Sequence, residues 1–185
     1  MNPNSSGLIF ESLEEDKRER DVGKLAVWSV SSAKPGNGVD LLVDGSSDTY
    51  WQSDGMQPHT ITLHFQQYVA ISKVAIQTNY RMDESYTPQR LSVSVGTRWS
   101  DMSCIRTEEV IEPQGWIVLP IASEEHPEKP VTGRILQITI LVNHQNGRDT
   151  HVRQVRVFGS RGDQSTGSHA VSWMTTDATM YATCR

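Results

Sequence analysis

Apolar and polar residues alternate in short runs along this chain, and turn residues interrupt each run before it reaches helix length. Ile61, Leu63 and Phe65 alternate with Thr62 and His64, and Leu91, Val93 and Val95 alternate with Ser92 and Ser94. Leu136, Ile138, Ile140 and Val142 repeat the pattern, and Val155 and Val157 flank Arg156. A period of two sends one face of each run into a core and the other into water, as in half-buried antiparallel strands. Residues 25–32 with Trp28, a run holding Val74 and Ile76, and residues 115–119 led by Trp116 read as further strands. Pro58, Pro88, Gly96, Pro113, Pro127, Pro130 and Gly147 supply the turns between them. About seven or eight short strands predict an all-β chain, a β-sandwich of jelly-roll type. The Cys…Trp…Cys pattern of immunoglobulin domains is absent, which argues against that topology.

The 185 residues suffice for one domain with a proper core and tails. Residues 1–20 mix both charge signs without apolar periodicity and read as a charged, flexible N-terminal tail. Residues 21–159 hold the strand pattern. Residues 160–185 turn small and polar, with Trp173, Met174, Met180 and Tyr181 as scattered apolar anchors, and read as a flexible C-terminal tail. A net charge of −5 argues against a general phosphate-binding, nucleic-acid role. No apolar run has membrane-spanning length, and no secretory segment follows Met1, so no membrane is expected. Cys104 and Cys184 are too far apart and too few for a disulfide framework, which predicts a reducing, intracellular setting.

The densest chemistry lies between the last two alternating runs, in Asn143-His144-Gln145-Asn146-Gly147-Arg148-Asp149-Thr150-His151. Asn146-Gly147 is a strong hairpin signal. A hairpin needs only a turn, and so many hydrogen-bonding side chains together predict a surface that recognises a polar ligand. Asp83-Glu84-Ser85-Tyr86-Thr87-Pro88 is a second polar loop, readable as a capped turn or as part of the same face. Asp40, Asp44 and Asp48 invite a calcium reading, but their spacing is not that of an EF-hand, and Asx-type turns explain them better. Trp51 beside them reads as a plug of the sandwich. His144 and His151 lack an evident third zinc ligand. No Ser or Cys sits on a nucleophile elbow. No cofactor is expected. Arg161-Gly162-Asp163 matches an integrin tripeptide, and a match that short is taken as chance.

An ordered series of strings gives the chain a family likeness: Trp28-Ser29-Val30-Ser31-Ser32, Lys34-Pro35-Gly36, Gly38-Val39-Asp40, and Thr49-Tyr50-Trp51-Gln52-Ser53-Asp54-Gly55. Gln57-Pro58-His59, the Asp83–Pro88 string, Pro113-Gln114-Gly115-Trp116 and the Asn143–His151 string continue it. In this order, across residues 25–158, the series resembles the DOC-domain family of anaphase-promoting complex (cyclosome) subunits. The resemblance implies a galactose-binding-like β-sandwich and a non-catalytic subunit of a ubiquitin ligase in nucleus and cytoplasm. It implies work with an activator subunit as co-receptor for the destruction-box degron of cell-cycle proteins, promoting processive ubiquitination. The degron-facing residues it implies are Ser85, Tyr86, Asn143, His144, Gln145, Asn146, Gly147, Arg148, Asp149 and Thr150. The family's tail ends in Ile-Arg and docks on a tetratricopeptide-repeat subunit. Here Arg185 matches, but Cys184, a smaller apolar anchor, replaces the isoleucine. A carbohydrate-binding module of the same fold is the alternative that the Trp-bearing 40–55 loop raises.

Overall fold

A computed structural model of the chain describes residues 8–10, 13, 18–122 and 129–160. Two five-stranded antiparallel sheets form a sandwich. The strands run β1 (Leu8–Phe10), β2 (Glu19–Asp21), β3 (Ala26–Val30), β4 (Trp51–Gln52), β5 (His59–Ile71), β6 (Lys73–Asn79), β7 (Pro88–Gly96), β8 (Ser103–Glu109), β9 (Gln114–Pro120), β10 (Val131–Asn143), β11 (His151–Val152) and β12 (Gln154–Ser160). One sheet has the order β1-β9-β6-β12-β2, the other β3-β5-β10-β7-β8, and β11 pairs with β4 in a two-stranded ladder. Among the described residues no helix is long and apolar enough to cross a membrane.

The alternating runs supply the core as expected. Ile61 and Leu63 of β5, Leu91 and Val93 of β7, and Leu136, Ile138 and Ile140 of β10 are buried in one cluster with Val74 and Ile76 of β6, Ile117 and Leu119 of β9, and Val155 and Val157 of β12. Their inward faces interdigitate between the sheets, and burying each large side chain contributes about 1.5–3 kcal/mol. Trp51 is fully buried and its indole N–H donates to the Ser32 carbonyl at 2.9 Å, so the plug reading holds.

The structure differs from the sequence expectations at the N-terminal segment and in the loop after β10. The charged N-terminal segment is not wholly a tail: Leu8–Phe10 pairs with β9, Glu19–Asp21 pairs with β12, and Leu13 packs on a small outer cluster of Ala75, Trp116 and Phe158. These short edge pieces contain too few residues for alternation to show. The Asn146-Gly147 signal does not make a hairpin. β10 ends in one sheet and β12 lies in the other, so the loop between them crosses from sheet to sheet. Gln145 and Asn146 adopt left-handed φ values of 52° and 55°, and Gly147 returns to −58°. Asn tolerates that region, but here it serves a crossover rather than a two-residue turn.

Asp44 confirms the Asx reading, with one carboxylate oxygen accepting the Ser46 N–H at 2.8 Å and the other the Thr49 hydroxyl at 2.6 Å.

Candidate functional site

Strand register gathers the candidate loops at one end of the sandwich. β10 is flanked by β7 and β5, with Asn143 opposite Pro88 and Ile140 opposite His59. The segment after β10 therefore meets the segments before β7 and before β5. The β4–β11 ladder, His151 opposite Gln52 and Val152 opposite Trp51, adds residues 50–55 beside them. The Lys34 turn joins through its N–H, which donates to the Gln52 carbonyl at 2.9 Å.

Side chains within the polar loop divide into two groups. Asn143 is fully buried; its amide donates to the carbonyls of Asp149 (2.8 Å) and Gly147 (3.2 Å), and its oxygen accepts the Thr150 hydroxyl (2.8 Å). The buried Thr150 also donates its N–H to the Ser53 hydroxyl at 2.8 Å. His144 is buried, and its Nε2 accepts the Glu112 N–H at 3.1 Å. Nδ1 therefore carries the proton and donates to the Thr87 carbonyl at 3.0 Å. Asn143, His144 and Thr150 were expected to face a ligand. Their polar atoms are instead spent within the protein, on the loop's own carbonyls, on each other and on Ser53, Thr87 and Glu112, so they shape the loop and do not present groups to solvent.

Gln145, Asn146 and Arg148 form the second group and are exposed. Gln145 donates to the Tyr80 hydroxyl at 3.1 Å, and Arg148 uses Nε on the Gly55 carbonyl at 3.0 Å. The amide of Asn146 and the terminal nitrogens of Arg148 make no hydrogen bond among the described residues. Backbone carbonyls pin the loop from below: Gln57 donates to the Gly147 carbonyl (2.9 Å), and Nε2 of His59 meets the Arg148 carbonyl (2.8 Å). Gly147 and Ser85, both half-buried, press backbone against backbone. Asp149, also half-buried, pairs with Lys34 at 2.6 Å. The hydrogen bond within this pair holds the Asp149 carboxyl below its ordinary range and raises the Lys34 ammonium above its own.

Tyr86 is 39% exposed and lies parallel to the His151 ring, with centroids 4.3 Å apart. Tyr50 covers the same imidazole at 4.1 Å, so His151 stands in contact with two tyrosines. Below the stack, the buried Asp83 carboxylate takes Arg153 through both oxygens (3.1 and 2.8 Å) and His151 Nδ1 at 3.2 Å. Arg153 also donates to the Ser47 carbonyl at 2.7 Å. His151 and Asp83 stood in the two polar strings but outside the degron-facing set that the resemblance implies, and Lys34, Tyr50 and Arg153 were assigned to no site. They come from separate segments, and only the strand pairing brings them together. Cys184 and Arg185 lie outside the described residues.

The family described as anaphase-promoting complex, subunit 10 (APC10) is matched over residues 6–183. The anaphase-promoting complex subunits 10 of Homo sapiens and Bos taurus are each 41% identical over 184 residues, spanning 100% of this chain and 98% of theirs. Subunit DOC1 of Saccharomyces cerevisiae is 34% identical over 155 residues, covering 84% of this chain and 62% of its own. In fold, the chain is similar to the family 32 CBM from C. perfringens NanJ in complex with galactose, with a TM-score of 0.61 at 11% identity over 76% of this chain and 98% of that one. That likeness establishes the galactose-binding-like sandwich alone. The chain belongs to the subunit 10 family of the anaphase-promoting complex.

Proposed function

We propose that this chain is a non-catalytic substrate-recognition subunit of the anaphase-promoting complex, acting with the activator subunit as a co-receptor for destruction-box degrons. One observation carries the reading. Gln145, Asn146, Arg148 and Tyr86 stand exposed at one end of the sandwich, on loops fixed from beneath, with hydrogen-bonding capacity left over. An extended peptide offers amide N–H and C=O groups that such carboxamides can both donate to and accept from. Each bond contributes only about 0.5–1.5 kcal/mol net, so this face alone binds weakly. A weak second contact suits a co-receptor, because tethering to the activator raises the effective concentration and lengthens residence on the ligase. More ubiquitin is then transferred per encounter.

In this reading, Cys184 and Arg185 dock on a tetratricopeptide-repeat subunit of the ligase. The protein works in nucleus and cytoplasm without cofactor, nucleic acid or membrane. A photo-crosslinking residue at position 146, in the assembled ligase with its activator, should capture a destruction-box peptide and not a scrambled one. Equal capture of both would contradict the proposal. Removal of residues 184–185 should reduce co-isolation with repeat subunits.

A further inference from the structure

The exposed end of the site contains the ring of Tyr86, stacked on the buried imidazole of His151. We infer that His151 is a positioning residue for Tyr86, and that the stack Tyr50–His151–Tyr86 holds the Tyr86 ring as a fixed wall of the peptide site. This inference rests on the proposed degron-binding reading.

Tyr86 closes a three-residue 3-10 turn, Glu84–Tyr86, whose first residue has a left-handed φ of 43°. So short a turn does little by itself to fix a side-chain ring. The ring's neighbour supplies what the turn does not. Tyr86 and His151 are inclined by only 10° at 4.3 Å, and Tyr50 lies against the same imidazole at 23° and 4.1 Å. Face-to-face contacts of this kind define the plane of a ring, not only its position.

The imidazole has its own anchor. Its Nδ1 faces Asp83, which is held by Nε and Nη2 of Arg153, and the Arg153 guanidinium in turn lies 5.7 Å from the Tyr50 ring centre. Asp83, His151 and Arg153 are all more than nine-tenths buried. Nε2 of His151 is buried too and has no hydrogen-bond partner. A buried polar nitrogen left unpaired is unfavourable. Phenylalanine would avoid that cost and still stack, so stacking alone does not call for histidine here. The two tyrosine faces hold the plane of the ring, and the bond to Asp83 adds a further restraint on its rotation. The arrangement therefore runs from a buried ion pair, through an imidazole, to an exposed phenol.

The test uses the whole ligase, rebuilt with full-length chain and supplied with activator. His151→Ala, His151→Phe and a Gln145/Asn146/Arg148→Ala triple variant are compared, all well below their unfolding temperatures. His151→Ala should raise the KM for a destruction-box substrate about five- to tenfold, as expected for losing a well-placed ring contact, with kcat for the first ubiquitin unchanged. His151→Phe should restore KM to within about twofold, because the stack survives. In the free full chain, the Tyr86 ring-proton resonances should move toward solvent values in His151→Ala and remain displaced in His151→Phe. If the triple variant raises KM and His151→Ala does not, the positioning role is wrong and the peptide site stands. If Phe is as damaging as Ala while the Tyr86 resonances stay in place, the role is structural and the inference is overturned. If the triple variant leaves KM unchanged, the peptide-site reading fails and this inference falls with it.

Discussion

Gly147 lies against the carbonyl of Ser85 with no room for a side chain: a Cβ built on Gly147 would fall inside the Ser85 carbonyl group. The φ of Gly147 is −58°, which any residue adopts, so glycine is required here by the approach of another backbone and not by conformation. This contact joins the loop after β10 to the loop before β7 and sets the distance between Tyr86 and the exposed amides. Gly147→Ala should push the loops apart and cost about 1–3 kcal/mol, as overpacking does. Urea unfolding of the variant reads the cost directly, and processivity should fall in the same variant.

Asn143 and Asn146 look alike in sequence and differ in surroundings. Asn143 is fully buried and bonds to Gly147, Asp149 and Thr150, while Asn146 is exposed. Asn143→Ala would take the donor from the Asp149 carbonyl and the acceptor from the buried Thr150 hydroxyl and should cost about 2–3 kcal/mol. Asn146→Ala breaks no hydrogen bond of the side chain and should cost about 1 kcal/mol, from alanine's poorer fit to the left-handed φ of 55°. Thermal unfolding of the two single variants checks the contrast.

Asp83 and Arg153 form a buried pair at 2.8 Å, each side chain 4% exposed. Removing one partner leaves the other's charge buried without compensation, so Asp83→Ala should lose about 3–5 kcal/mol. Chemical denaturation of the full chain measures it. A loss below about 1 kcal/mol would mean that water reaches the guanidinium.

Lys34 and Asp149 give the site a defined pH window. The Asp149 carboxyl, bonded to Lys34, titrates below its ordinary 3.8; its contribution is present above that value and is lost as pH falls through the lowered one. The Lys34 ammonium titrates above its ordinary 10.5; its contribution is present below that value and is lost as pH rises through the raised one. Between these limits the pair is intact and adds no pH dependence to binding. Acid unfolding should therefore show a shallower slope below about pH 4 in Asp149→Asn than in the parent.

The fold was legible where strands are long and half-buried. Ile61 and Leu63, Leu91 and Val93, and Leu136 and Ile138 declare an inward face through alternation, and each is buried. β8, Ser103–Glu109, escaped notice because it is an edge strand made largely of polar residues, with Arg106 bonded to Glu108 along it. The site was half legible. Its density of hydrogen-bonding residues marks one loop, but a buried residue that builds that loop and an exposed one that faces solvent have the same letters. Asn143, His144 and Thr150 are of the first kind, and only burial and bond partners separate them from Gln145, Asn146 and Arg148. His151 and Tyr50 lie far apart in the chain, and no spacing rule foretells that their rings stack.

In the proposed function, the exposed loop residues grip substrate while the buried ones only support them. The most direct measurement is the number of ubiquitins added per binding event by the activator-bound ligase carrying Tyr86, Gln145, Asn146 and Arg148 all changed to Ala. The subunit should fold and still assemble into the ligase, with processivity lowered on substrates that bear a destruction box and unchanged on substrates that lack one. Intact assembly with full processivity on destruction-box substrates would contradict it.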